Sequence, residues 1–405
     1  MTPRKILIIT NRIPYPLNDG GNMAMSAMIN GYHEAGWSVM LLAMNTSRHY
    51  VPLTELNGVF DHLYSFQSVD INNDVRFTKI LSNLIFSSEP EHAERFYHTS
   101  FNDKLIEALT SFRPDVVQFE SVYLATYLPA VHEYSCAITV LRIHNIEYQI
   151  WMGLASREKN VIRKWYLDSL TVRVRNFERE AWKAFDLLLP ITEKDANLIV
   201  RLEDTKALIV APFGIDREKI VSSENEKWVG YHIGAMDWLA NSQVIKWFLK
   251  KAWPRIHKAL PEFEFFFAGR NMPDEFTKMH LAGVHCIPDV ADANAFIADK
   301  KILIVPLWSS GGIRVKILEA MAAGKVVITT RQGIKGITAM PGEHYLAADN
   351  TDQFVQTVKW CIGNKTEAAR IGQKAQQLIR EKYVQSDIMK NIVNELTMML
   401  RDMDN

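Results

Sequence analysis

Cysteine is scarce: Cys136, Cys286 and Cys361 are the only three in 405 residues, far apart and odd in number. That excludes a disulfide scaffold and leaves no zinc-ligand spacing, so a reducing, cytoplasmic setting is expected. Net charge is missing too, because 46 Lys and Arg balance 46 Asp and Glu. Without a global positive field no nucleic-acid partner is expected, and an anionic membrane must be met by a local patch. No apolar run approaches the ~20 residues of a bilayer-spanning helix. The start, Met1-Thr2-Pro3-Arg4-Lys5, passes directly into Ile6-Leu7-Ile8-Ile9, too short for a secretory core. The dinucleotide fingerprint G-x-G-x-x-G is absent as well, since a long loop, Asn11 to Gly21, separates the first strand from its helix. The strand-end loops hold no carboxylate pair or histidine cluster that would hold a metal.

What is present is 48% hydrophobic and 10% aromatic residues, enough for two cores. Buried-strand runs such as Ile6 to Thr10, Trp37 to Ala43, Asp115 to Phe119, Ile138 to Ile143 and Leu187 to Ile191 alternate with helical periodicity, which predicts an α/β fold with parallel, doubly wound sheets. A further strand is expected at Leu208 to Val210, a helix over Phe77 to Phe86, one long helix from Ser156 to Phe185, and an N-cap at Asn241. The polar run Asp216 to Lys227 reads as a linker, dividing the chain into domains 1–212 and 213–386.

In such sheets ligands collect at the carboxyl ends of the strands, where Asn11, Glu120, His144 and Thr192 fall. Taken alone, His144 reads as a strand-closing histidine, Glu120 and Glu147 as structural acids, and Gly20-Gly21 as a plain or ligand-facing turn. The richest stretch comes later. Ile302 to Pro306 is a strand, Gly311-Gly312 a turn, and Ile313, Ile317, Ala320 and Met321 mark a helix stopped by Gly324. A glycine turn at a helix N-terminus offers unpaired N–H groups to an anion, Arg314 and Lys316 add two cations, and Glu319 can accept from the adjacent hydroxyls of a ribose. Glycines, cations and acid in that order describe a nucleotide diphosphate seat rather than a plain loop.

This run, GGIRVKILEAMA, resembles the C-terminal signature of the retaining GT-B glycosyltransferases of the large family four (glycosyl transferases group 1). The resemblance implies two Rossmann-like domains facing across a cleft, with a C-terminal helix, 387–405, packing back on the first. It further implies that Glu319 holds the donor ribose and that Arg314 or Lys316, beside Ile313, meets the diphosphate. Arg270 would touch the nucleotide, the backbone at Val290 would frame the base, and His144 would lie beside the transferred sugar. Gly20 and Gly21 would face donor phosphates or acceptor. One departure stands out: Gly311 occupies the place of the family's first paired glutamate, leaving its backbone to stand in at the donor sugar.

The implied activity is metal-independent, hexosyl-type transfer, with retention, from a nucleotide diphosphate sugar as co-substrate to a glycan or lipid-linked acceptor, with no other cofactor. Asn11, Glu120 and Glu147 are the acceptor-side candidates. The rivals are an epimerase of the same fold and a non-catalytic nucleotide-sugar-binding partner of a transferase. The stretch 151–185, rich in Arg and Lys with Trp151, Trp165 and Trp182 interleaved, reads as a solvated helix face or a peripheral contact with the inner face of a membrane.

Overall fold

The structure, a computed structural model, describes residues 3–17, 19–73, 91–220, 226–236, 239–288, 290, 292–308 and 313–404. The expected helix over Phe77 to Phe86 and the glycines Gly311 and Gly312 lie outside the described residues. The chain divides into two compact units, Met1–Phe213 with Ser386–Asn405, and Gly214–Gln385.

The first unit is built on strands β1 (Lys5–Thr10), β2 (Ser38–Thr46), β3 (Ser65–Ile71), β4 (Val116–Phe119), β5 (Ile138–Ile143) and β6 (Leu187–Pro190), parallel in the order β3-β2-β1-β4-β5-β6. Apolar residues on both faces explain the burial. Leu7 and Ile9 enter one core cluster while Ile6 and Ile8 enter the other, as the two-residue period of a strand requires. Each such fully buried side chain contributes about 1.5–3 kcal/mol. The longer helices are α1 (Gly20–Glu34), α2 (Thr99–Phe112), α3 (Leu128–Tyr134), α4 (Glu147–Arg157), α5 (Val161–Ala184) and α6 (Glu193–Leu202). The expected strand at Leu208 to Val210 is reduced to one isolated bridge between Leu188 and Leu208.

The single helix expected from Ser156 to Phe185 is in fact the end of α4 and the whole of α5. Glu158 is extended, and the Asn160 side chain accepts from the N–H groups of Ile162 and Arg163, so a new helix starts there.

The second unit holds β7 (Lys227–Ile233), β8 (Phe265–Gly269), β9 (Val284–Pro288), β10 (Lys300–Val305), β11 (Val326–Thr329) and β12 (Leu346–Ala347), parallel in the order β12-β11-β10-β7-β8-β9. Its longer helices are α7 (Leu239–Trp247), α8 (Trp253–Ala259), α9 (Val315–Ala322), α10 (Thr351–Gly363) and α11 (Lys365–Lys382). The last helix, α12 (Gln385–Asp404), sends Ile388, Met389, Ile392, Leu396 and Leu400 into the first unit's core. There Gly31 lets α1 approach closely, since a Cβ on it would stand 2.5 Å from Cγ of Met389.

Candidate functional site

The nominated residues fall into two groups, one on each unit. In the first unit β1, β4 and β5 lie side by side, so the residues after their carboxyl ends converge. Asn11, Glu120, His144 and Glu147, with Gly21 from α1, line one cavity of about 520 Å³. Glu120 is fully buried and is the hub of a polar chain. The Tyr32 hydroxyl donates to Gln118 Oε1 at 2.7 Å, Gln118 Nε2 donates to Glu120 Oε1 at 2.5 Å, and His144 Nε2 stands 2.9 Å from Glu120 Oε2. Burial alone would raise the Glu120 pKa, but the Arg142 guanidinium, 3.5 Å away and equally buried, and the His144 contact outweigh it and hold the carboxyl below its ordinary value. An ionised carboxylate only accepts, so His144 carries its proton on Nε2. Thr192 is an N-cap: its hydroxyl takes the N–H of Asp195.

The turn at Gly20 and Gly21 opens α1, and Asp19 caps it. One Asp19 oxygen accepts from Gly21 N at 2.8 Å, from Asn22 N at 3.0 Å and from the Arg12 guanidinium at 2.8 Å. This helix start is thus already satisfied by a carboxylate of its own chain.

Glu147 accepts from the Tyr123 hydroxyl at 3.1 Å, and burial raises its pKa. Its position depends on Glu178, an acid of the stretch 151–185, whose charge pattern reads as a solvated helix face. Glu178 is fully buried in α5, and its two oxygens accept from the N–H groups of Glu147 and Tyr148 at 2.8 Å each. Helix α4 has no side-chain cap from its own Ile146, so a carboxylate from the neighbouring helix supplies it. Burial pushes Glu178 up to about 8 despite those two bonds. A signal was available: Glu178 interrupts the buried stripe Leu170, Val174, Ala181, Trp182 at helical spacing.

In the second unit the strand order reverses between β7 and β10, the place where α/β sheets receive ligands. His232, on β7, is fully buried, and its Nδ1 lies 2.9 Å from the carbonyl of Ile304 on β10. A carbonyl only accepts, so Nδ1 donates and Nε2 is left as an acceptor. Burial, then the charge of Lys316, pull the His232 pKa well below the usual histidine value. Lys316 supplies the matching donor, its Nζ standing 3.3 Å from His232 Nε2 and 3.2 Å from Asn241 Oδ1. Asn241 is therefore no N-cap. It lies inside α7, and its amide also donates to the Ala235 carbonyl at 2.9 Å. Gly234 makes room for this arrangement, because a Cβ there would meet Lys316 Nζ at 2.5 Å.

Arg314 is the N-cap of α9, with extended backbone (φ −94°, ψ 97°), so the expected helix start at Ile313 moves to Val315. Burial lowers Arg314 to about 10, and burial with the charge of Arg314 lowers Lys316 to about 7. Glu319 follows one turn later, raised by burial and partly offset by Lys219 and Lys316. Arg270 is exposed after β8, and its carbonyl accepts from Met236 N at 3.0 Å. Val290 follows β9 and is half-buried. Two cations and one carboxylate, all partly desolvated, thus sit around the switch point of this sheet.

Residues 228–364 match the family model described as Glycosyl transferases group 1. Over nearly its whole length the chain is similar to an uncharacterized 44.6 kDa protein in the cps region of Klebsiella pneumoniae, 20% identical over 413 residues that cover 96% of this chain and 99% of that one. Among solved structures, Alr3699/HepE of Anabaena in complex with UDP superposes with a TM-score of 0.66 at 13% identity, covering 97% of this chain and all 100% of that one. Sucrose-phosphate synthase of Thermosynechococcus elongatus gives a TM-score of 0.65 at 13% identity, with 98% and 100% covered. The fold is GT-B, with two parallel six-stranded sheets and their helices.

Proposed function

We propose that the chain moves a sugar from a nucleotide diphosphate sugar, seated at the switch point of the second unit, to an acceptor hydroxyl in the pocket of the first, with retention and without a metal. The observation that carries the reading is the delivery of Lys316 to the β7–β10 switch point, with Arg314 at the adjoining helix start and Glu319 one turn on. Negative charge builds on the diphosphate as it departs, and fixed cations in a water-poor crevice stabilise it without reorganising. The match of residues 228–364 to a glycosyl transferase family supports the same assignment.

A thermal-shift panel of nucleotide sugars tests it, since a ligand at a hundred times its dissociation constant stabilises by about 2.7 kcal/mol. One donor should raise the melting temperature, Glu319→Gln should shrink that rise through loss of charge-assisted ribose contacts, and acceptor-dependent turnover should persist in EDTA. Donor-independent melting, or turnover lost to chelator and restored by Mg²⁺ or Mn²⁺, overturns the scheme.

The same reading places the protein at the inner face of a membrane, through the α4–α5 tip. Of the three tryptophans in 151–185, Trp182 is fully buried and Trp151 half-buried, while Trp165 is exposed. Val161, Ile162, Met152 and Leu154 are exposed beside it, and so are Arg157, Lys159, Arg163 and Lys164. Exposed apolar residues amid cations suit an anionic interface. The protein should float with phosphatidylcholine vesicles containing phosphatidylglycerol and not with phosphatidylcholine alone. Ile162→Ser with Trp165→Ser should abolish flotation, and retention of the double variant on the vesicles would refute the contact.

A further inference from the structure

We propose that the acceptor carries an anionic group, a phosphate or a carboxylate, and that Arg48 and Arg95 grip it at the pocket of the first unit; this rests on the reading of that pocket as the acceptor side. The lining brings Arg12, Arg48, Arg95 and His49 together. Arg12 is balanced by Asp19, to which it is bonded at 2.8 Å. Arg48 is exposed in the turn after β2, and Arg95 is half-buried just after the short helix Glu91–Glu94, its guanidinium 6.0 Å from the centre of the Phe96 ring. Neither has a carboxylate partner among the described residues.

The acids of the same lining are already committed. Glu120 serves Arg142, His144 and Gln118, and Glu147 serves the Tyr123 hydroxyl. What faces the cavity without compensation is positive. Two buried polar atoms of its wall also lack a partner among the described residues: Nε of Arg95, and the hydroxyl of Thr46, which is 1% exposed. Buried polar groups are normally satisfied, so these two mark a place where a ligand completes the bonding. A guanidinium fork matches the spacing of carboxylate or phosphate oxygens, and such charge-assisted bonds are about twice as strong as neutral ones. Burial and then the charges of Arg12 and Arg48 hold the His49 pKa below the ordinary histidine value, as expected where positive groups gather.

The test uses the full chain and three probes of one sugar: glucose, glucose 1-phosphate and glucuronic acid, titrated by calorimetry against wild type and the double variant Arg48→Gln, Arg95→Gln. The charged probes should bind at least about tenfold more tightly than glucose, and the double variant should lose that margin while circular dichroism and nucleotide-sugar affinity at the second unit stay as in wild type. A preference for glucose 1-phosphate points to a phosphate-linked acceptor, and one for glucuronic acid to an acidic glycan. Equal binding of glucose, no binding of any probe, or an unaffected double variant overturns the anionic assignment. The transferase reading is judged separately, by the donor-dependent melting described above, so the two can fail independently.

Discussion

Lys316→Ala is expected to lower kcat/KM for nucleotide-sugar turnover by roughly a hundred- to a thousandfold, the loss of about 2.7–4 kcal/mol that follows removal of one preorganised contact to developing charge. On a continuous helix, residues two apart point about 200° from one another, so the two cations cannot serve equally, and nearness to the glycine turn with a planar fork suited to phosphate oxygens ranks Arg314 above Lys316. Arg314 is not in the helix, however, and it is Lys316 whose ammonium reaches the β7–β10 switch point, held there by His232 and Asn241. Arg314→Ala should therefore cost less. A second signature separates a ligand contact from a structural one. With its pKa pulled to about 7 by burial and by Arg314, Lys316 is only partly charged in the free protein at neutral pH, and a bound diphosphate must restore the charge. Donor binding should take up a proton between pH 7 and the ordinary lysine value, and affinity should fall as pH rises through that window. In the free protein the folded value lies below the unfolded one, so Lys316 lowers stability below about pH 7, and the loss is recovered as pH climbs toward ~10.4. Calorimetry in two buffers of different ionisation enthalpy reads the uptake, and Lys316→Met should abolish it. Full turnover in the lysine variant beside a dead arginine variant would reverse the ranking.

The fold was legible because parallel strands buried on both faces leave continuous β-branched and aliphatic runs, and those runs survive in the sequence as Ile6 to Ile9 and Ile302 to Val305. Positions near strand ends are legible for the same reason, which places Glu120 and His144 at the carboxyl ends of neighbouring strands, while their contact is not. What the sequence hid is contact between elements far apart in the chain. His232 looks like any strand residue until the Ile304 carbonyl, 72 positions later, is placed beside it. Asn241 reads as a cap because Asn usually is one, whereas here tertiary hydrogen bonds to Ala235 and Lys316 take its amide. Glu178 was hidden by its charge, since an acid in a basic helix looks solvated unless its place in the apolar stripe is given more weight. Arg48 and Arg95 converge only through folding, as they lie 47 positions apart on different elements.

Glu120→Ala should destabilise the first unit by about 3–5 kcal/mol, the usual cost of removing one partner from a buried ion pair. Arg142 is 2% exposed, and its Nε has no hydrogen-bond partner among the described residues, so without Glu120 its charge is left with the Ala24 carbonyl, at 2.8 Å, as its hydrogen-bond acceptor among them. Gln118 and His144 lose their acceptor in the same step. The sign with pH follows from the depressed carboxyl: the stabilisation is present above the ordinary glutamate value and is lost as pH falls through the lower, folded one. Urea denaturation should show the loss in Glu120→Ala. The double variant Glu120→Leu, Arg142→Met should recover most of it, because an apolar pair of similar volume removes both buried charges together. That recovery isolates the functional contribution of Glu120. A double variant that melts like wild type yet turns over far more slowly has lost the carboxylate that fixes the His144 tautomer together with its buried counter-charge, and the slowing is then positional rather than a failure to fold. If the single variant melts like wild type, Arg142 has found another counter-charge and the Glu120 hub does not anchor the pocket.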